Sequence, residues 1–159
     1  MFSFLKRKPK LNNETNEDLA KMLCDNPEDP VINSEYFKNK SMNYSIESLE
    51  HLDHYLEGLR AELPEDEVLI KVALRSGSYL GEVIRRQSNE NYNWLKFSEA
   101  EKLNTYIKDI GYQLGTAMIL WSEPENFFFP IAKVLKRLEN GSEDSLVSFA
   151  KVSIEGIPE

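Results

Sequence analysis

The stretch from Asp66 to Gln87, DEVLIKVALRSGSYLGEVIRRQ, constrains this chain more than any other, because it reads as one long helix with Gly77 and Gly81 in its middle. A glycine inside a helix costs about 0.5–1 kcal/mol relative to alanine. Two of them one turn apart therefore call for close approach by a neighbouring backbone or a large side chain. Either the fold is organised around this helix, or the helix presents a binding face. Gly77 lies nearer the apolar side, with Leu74 and Ile84, which favours the architectural role.

The segments on either side place this helix in a hairpin. Ser45 is a good N-cap, and Ile46, Leu49, Leu52, Leu56 and Leu59 recur at helical spacing behind it. Leu63-Pro64-Glu65-Asp66 breaks that helix and starts the next, with acids near the positive end of its dipole. After a turn at Ser88–Asn91, Tyr92 to Phe97 (with Trp94) reads as a strand and Thr105 to Ile110 as a second. Tyr112 to Trp121 alternates with both sides largely apolar, the pattern of a buried third strand with a helix as the alternative, and Ser122–Asn126 reads as a loop. Pro130 suits a first helical turn. Ile131, Val134, Leu135 and Leu138 form a stripe behind it, Asn140-Gly141 closes it, and Ser142 can cap a last helix through Ala150. The order predicts an α+β fold: a helical hairpin, a small antiparallel sheet of about three strands, and two C-terminal helices.

The N-terminal third is less patterned. Residues 1–16 read as a flexible basic and polar tail. Residues 17–44 read as a short helix from Glu17 to Leu23, ended by Asn26-Pro27 and Asp29-Pro30, and then loop. Residues 45–155 are expected to form a single domain, as a 159-residue chain allows.

Charge narrows the partners. The formal net charge is −8, and Lys6, Arg7, Lys8 and Lys10 put +4 on the first ten residues, which leaves −12 on the rest. An acidic body repels phosphate backbones, so nucleic acid is disfavoured and a basic protein is favoured. Residues 2–10 offer at most weak contact with an anionic membrane surface, worth about 1 kcal/mol per basic residue. The opening MFSFLKRKPK has apolar residues before charges, unlike a secretory leader, and no stretch approaches a membrane span. A cytoplasmic protein of bacterial style is expected.

Signatures of chemistry are scarce. Cys24 is the single cysteine, which rules out an intramolecular disulfide and a four-cysteine zinc site. His51 and His54 lie one turn apart among Glu47, Glu50, Asp53 and Glu57, but the leucine stripe of that helix leaves them on a polar face, so no metal site is expected. No serine-nucleophile elbow and no phosphate loop occurs, and no catalytic residue or cofactor is assigned. Arg75, Tyr79, Glu82 and Arg86 recur at helical spacing on the long helix. They form the best candidate interaction stripe, since tyrosine and arginine dominate interface hot spots. Gly77, Gly81, Trp94 and Trp121 are the candidate pocket residues. Phe127-Phe128-Phe129 cannot all point one way from a single element, so at least one should be exposed or line a groove.

Tyr79-Leu-Gly-Glu-Val-Ile-Arg-Arg86, the strand at Trp94, the helix begun at Pro130 and Asn140-Gly-Ser-Glu-Asp-Ser145 together resemble a set of small uncharacterised bacterial α+β domains. The resemblance covers about residues 45–152. It implies the fold alone, with no reaction and no site residue. The expected function is a non-enzymatic protein-interaction module, an immunity-type inhibitor or adaptor with an acidic surface. The alternative is a small ligand-binding protein or enzyme with a pocket near Gly77, Glu82 and the aromatic residues.

Overall fold

The computed structural model describes residues 7–156. Its elements are α1 (Asn13–Met22), α2 (Ser48–Glu62), α3 (Asp66–Gln87), β1 (Asn93–Lys96), α4 (Phe97–Ala100), α5 (Thr105–Ile110), β2 (Met118–Ser122), β3 (Asn126–Phe128), α6 (Pro130–Asn140) and α7 (Leu146–Glu155). This is an α+β fold with a three-stranded antiparallel sheet in the order β1-β2-β3 and two C-terminal helices.

The glycines of α3 are where its neighbours press in. A Cβ on Gly77 would lie 2.6 Å from Ile131 Cγ1 and 2.7 Å from Ile131 Cα, so α6 crosses there at backbone contact. A Cβ on Gly81 would enter the six-membered ring of Trp94, which β1 lays across the helix. Gly115 repeats the arrangement on α6, where an added Cβ would sit 2.9 Å from Ala132 Cβ. Close-packed helices need such gaps, because interiors at crystal-like density leave no spare volume. Ser48 Oγ of α2 meets the Tyr79 hydroxyl of α3 at 2.7 Å, a direct tie between these two helices.

The sheet has two covered faces. Trp94, Met118, Leu120 and Phe128 join the main core with α3, α6 and α7, while Leu95, Ile119 and Trp121 join a second cluster with Phe97, Ala100 and Ile107. The three phenylalanines divide accordingly: Phe128 packs on the main core, and Phe127 and Phe129 on the second, all partly buried. Period-two alternation explains this, since both sides of β2 and β3 meet apolar partners.

Several boundaries differ from the sequence expectation. Thr105–Ile110 is helix, not strand, because the Asn104 side chain caps it by accepting from Tyr106 N–H at 2.7 Å and only Ile107 is fully buried. The third strand is instead β3, which begins at Asn126, the last residue of the stretch read as loop. The span before β2 is a 3₁₀ turn at Leu114–Thr116, closed by Gln113 N–H donating to Thr116 Oγ1 at 2.9 Å. The cap of α7 is Ser145, which accepts from Ser148 N–H, whereas Ser142 lies in a 3₁₀ turn.

Residues 13–16, read as tail, are the first turn of α1. Asn12 N–H donates to Trp94 C=O at 2.8 Å, and Asn13 Oδ1 accepts from Trp94 N–H at 2.7 Å. The buried Asn16 donates to Ser78 Oγ at 3.0 Å. These asparagines look like polar dilution in the sequence. In the fold they satisfy the outer edge of β1, which would otherwise offer unpaired backbone groups.

Candidate functional site

Three of the four stripe residues on α3 are inside the protein. Arg75, Tyr79 and Glu82 are buried, and only Arg86 is exposed. The Arg75 guanidinium donates to Asp29 C=O at 2.7 Å, to Asp29 Oδ2 at 3.2 Å and to Met22 C=O at 3.3 Å, fastening the end of α1 and the following loop. The Tyr79 hydroxyl accepts from Tyr44 N–H at 3.0 Å while its ring stacks on Tyr44 with centroids 4.7 Å apart. Arg86 lies 3.6 Å over the opposite face of the Tyr44 ring, and Gln87 donates to Tyr44 C=O at 3.0 Å. Tyr44 is thereby held at φ +62°, a left-handed conformation that L-residues avoid. Burial pushes the Tyr79 hydroxyl above its ordinary pKa, with the Ser48 hydrogen bond acting the other way.

Glu82 is the hub of the stripe. Its Oε2 accepts from Trp94 Nε1 at 3.0 Å and from Arg85 Nη1 at 2.9 Å, and its Oε1 accepts from Arg86 Nη2 at 3.5 Å. A carboxylate with these donors is satisfied in place. Beside it lies a concavity of about 360 Å³ lined by Glu17, Arg85, Arg86 and Tyr92. The stripe is therefore a seam between α3, α1 and the Tyr44 loop, rather than a solvent-facing surface.

The four candidate pocket residues are not brought together either. Gly77 packs against Ile131 and Gly81 against Trp94, both as core contacts. Trp121 turns to the second cluster and lines a separate concavity of about 400 Å³ with Lys8, Pro9, Asn93 and Glu123.

Sequence reasoning missed a buried ion pair. Arg137 of α6 donates from Nε to Asp53 Oδ1 at 3.0 Å, from Nη2 to Asp53 C=O at 3.1 Å and from Nη1 to Glu57 Oε2 at 2.6 Å. The Asp53 carboxylate also accepts from Leu146 N–H at 3.0 Å and Val147 N–H at 3.3 Å. One buried acid of α2 thus holds α6 and caps α7, where an anion is favoured by the helix dipole. The signal was available: Asp53 falls one turn after Leu49 and before Leu56, on the apolar stripe, and Arg137 falls one turn after Val134.

The most exposed large apolar side chain among the described residues is Leu63, 85% accessible at the join of α2 and α3. It adopts φ +49° and ψ +61°, with Pro64 next in the chain. Around it Glu62, Glu65, Asp66 and Glu67 are exposed, and none of the four is in an ion pair among the described residues. Ile70 and Ile32 are also exposed nearby, at 44% and 37%. Between the loop and the start of α3 runs a concavity of about 350 Å³ lined by Pro30, Ile32, Glu67, Val68 and Lys71, and Lys71 is ion-paired with Asp29.

The remaining titratable candidates are separate from one another. His54 is exposed and His51 half-buried, and among the described residues no group of three or more His, Cys, Asp or Glu could hold a metal ion. The Cys24 residue is exposed, yet partial burial of its thiol, helped by the charge of Asp25, pushes the pKa up to about 11. At neutral pH it is a thiol, not the thiolate a nucleophile requires. Residues 2–6 of the expected membrane-contact segment lie outside the described residues; Lys8 and Pro9 line the concavity with Trp121, and Lys10 N–H donates to Glu99 Oε1.

No family model, curated protein or solved structure matches this chain. No helix among the described residues is long and apolar enough to cross a membrane.

Proposed function

We propose that this protein is a non-enzymatic interaction module, of the immunity-inhibitor or adaptor kind, that holds a basic protein partner on its acidic surface. The observation that carries the reading is Leu63, 85% exposed among four acids that have no ion-pair partner among the described residues. A left-handed residue costs about 1–2 kcal/mol for anything but glycine, and the conformation is further disfavoured before proline. The Leu63 backbone closes α2, its N–H donating to Leu59 C=O at 3.2 Å, but that cap does not call for a leucine side chain facing solvent, so a role for the side chain outside the chain is the economical account. The surrounding acids would steer and orient a partner of opposite sign. In contrast, the buried charges at Asp53, Arg75, Glu82 and Arg137 are committed to internal ties.

The test is affinity capture from the native host at low salt, with the full chain as bait and a Glu62→Gln, Glu65→Gln, Asp66→Asn, Glu67→Gln variant beside it. A basic protein retained by the parent and lost by the variant is the expected result. Failure to retain any basic protein counts against the reading. A ligand-binding role is the second reading, supported by the concavity of about 400 Å³ at Trp121.

A further inference from the structure

We infer that the groove between residues 30–32 and the first turns of α3 docks one amphipathic helix of a partner protein, apolar on one face and rich in lysine or arginine on its flanks. The inference rests on the interaction reading above and names the form the partner takes. The floor of the groove is aliphatic, from Pro30, Ile32 and Val68, and Leu63, at the turn into α3, and Ile70, on its first turns, are exposed as well. Lys71 brings no free positive charge, since it is paired with Asp29.

The carbonyls along this wall are already engaged. Ile32 C=O accepts from the Tyr55 hydroxyl at 2.6 Å, Asp29 C=O accepts from Arg75, and Val31 C=O accepts from Ser34 N–H at 3.2 Å. A partner strand would find these acceptors occupied, whereas a helix needs only side-chain pockets and recognises them through anchors one turn apart. The rim selects the charge of the occupant. Asp66 and Glu67 are favourable at the positive end of α3, but Glu62 sits at the negative end of α2, where the dipole disfavours an acid. A basic flank on the incoming helix neutralises this rim. An anionic lipid surface, or the same rim on a second copy of this chain, repels it.

The test uses the full chain and a fluorescently labelled peptide of about 18 residues, with leucines at i, i+3, i+4 and i+7 and lysines elsewhere. Two controls are a scrambled peptide of the same composition and a glutamate-for-lysine version. The helical basic peptide is expected to bind at low salt, and Leu63→Ser with Ile70→Ser to weaken it by about tenfold or more. Both side chains are exposed, and amide chemical-shift mapping on the unaltered protein, expected to move Ile32, Leu63, Val68 and Ile70, reads the site without any substitution. Equal binding of the scrambled peptide, unchanged affinity in the double variant, shifts elsewhere, or self-association through these residues each overturns the inference. If the peptide fails while the native-host partner is still captured, helix docking falls and the interaction reading stands.

Discussion

A methyl group added at Gly81 would enter the indole of Trp94, whereas one added at Gly58 of α2 would meet nothing within 4 Å. The two glycines make a clean contrast, because both sit inside helices and differ only in what faces them. Gly81→Ala is expected to lose about 1–3 kcal/mol from overpacking, even after the helix-propensity gain. Gly58→Ala is expected to gain about 0.5–1 kcal/mol. Urea unfolding of the two variants beside the parent measures both. Equal effects would show that the Trp94 contact does not govern the choice of glycine at position 81. That α3 needs close neighbours was legible in the sequence from its paired glycines. Which neighbours they are was not, since Ile131 arrives from α6, far along the chain, and Trp94 from a strand that folds back over the helix it follows.

The element scale is governed by ties that cross between helices. Asp53 and Arg137 are both buried, and the carboxylate serves α6 and α7 together. Removing one partner of a buried pair strands the other charge, which costs about 3–5 kcal/mol. Asp53→Ala is expected to fall in that range, while Glu57→Ala, at the solvent side of the same arginine, should cost much less. Denaturant midpoints for the two variants decide it, and equal losses would refute the division of labour. The stripe of α3 teaches the same lesson. Its polar spacing reads as a solvent face only if the helix has one, and from Val72 to Ile84 almost every residue is buried. Ser76, Gly77, Ser78 and Gly81 were the available signal, since small residues on several sides of a helix admit neighbours on several sides.

For the whole molecule, acid sensitivity follows from carboxylates held by cations. Asp29 is lowered by the hydrogen bond from Lys71, with Arg75 adding to it, and Glu57 by the hydrogen bond from Arg137. Glu99 is lowered by Lys102 and the Lys10 N–H, and Asp144 by Lys133 and Asn140. A carboxyl with a depressed folded pKa binds its proton more readily in the unfolded chain. Its stabilisation is therefore complete above the unfolded values, at about 4, and disappears as pH falls through the folded ones. Urea midpoints are expected to be nearly level from neutral pH down to about 5 and to drop below about 4. Midpoints that stay level below that range would show that these four contacts contribute nothing.

The sequence by itself determined the helices α2, α3, α6 and α7, because their signals are local. The leucine period of α2, the N1 proline of α6 and the left-handed Gly141 behind it act within a few residues of one another. It also determined the acidic charge and the demand for close approach at Gly77 and Gly81. Tertiary structure alone decided which polar residues are inside, which faces of β2 and β3 meet which cluster, and that Asn12 to Asn16 belong to the fold. Burial and hydrogen-bond satisfaction depend on groups brought from distant positions, and no local pattern contains them. The same division changes where a partner should be sought. The Arg75, Tyr79 and Glu82 side chains that looked like an interface are holding α3 in place, and the exposed apolar surface lies instead where the hairpin turns, at Leu63.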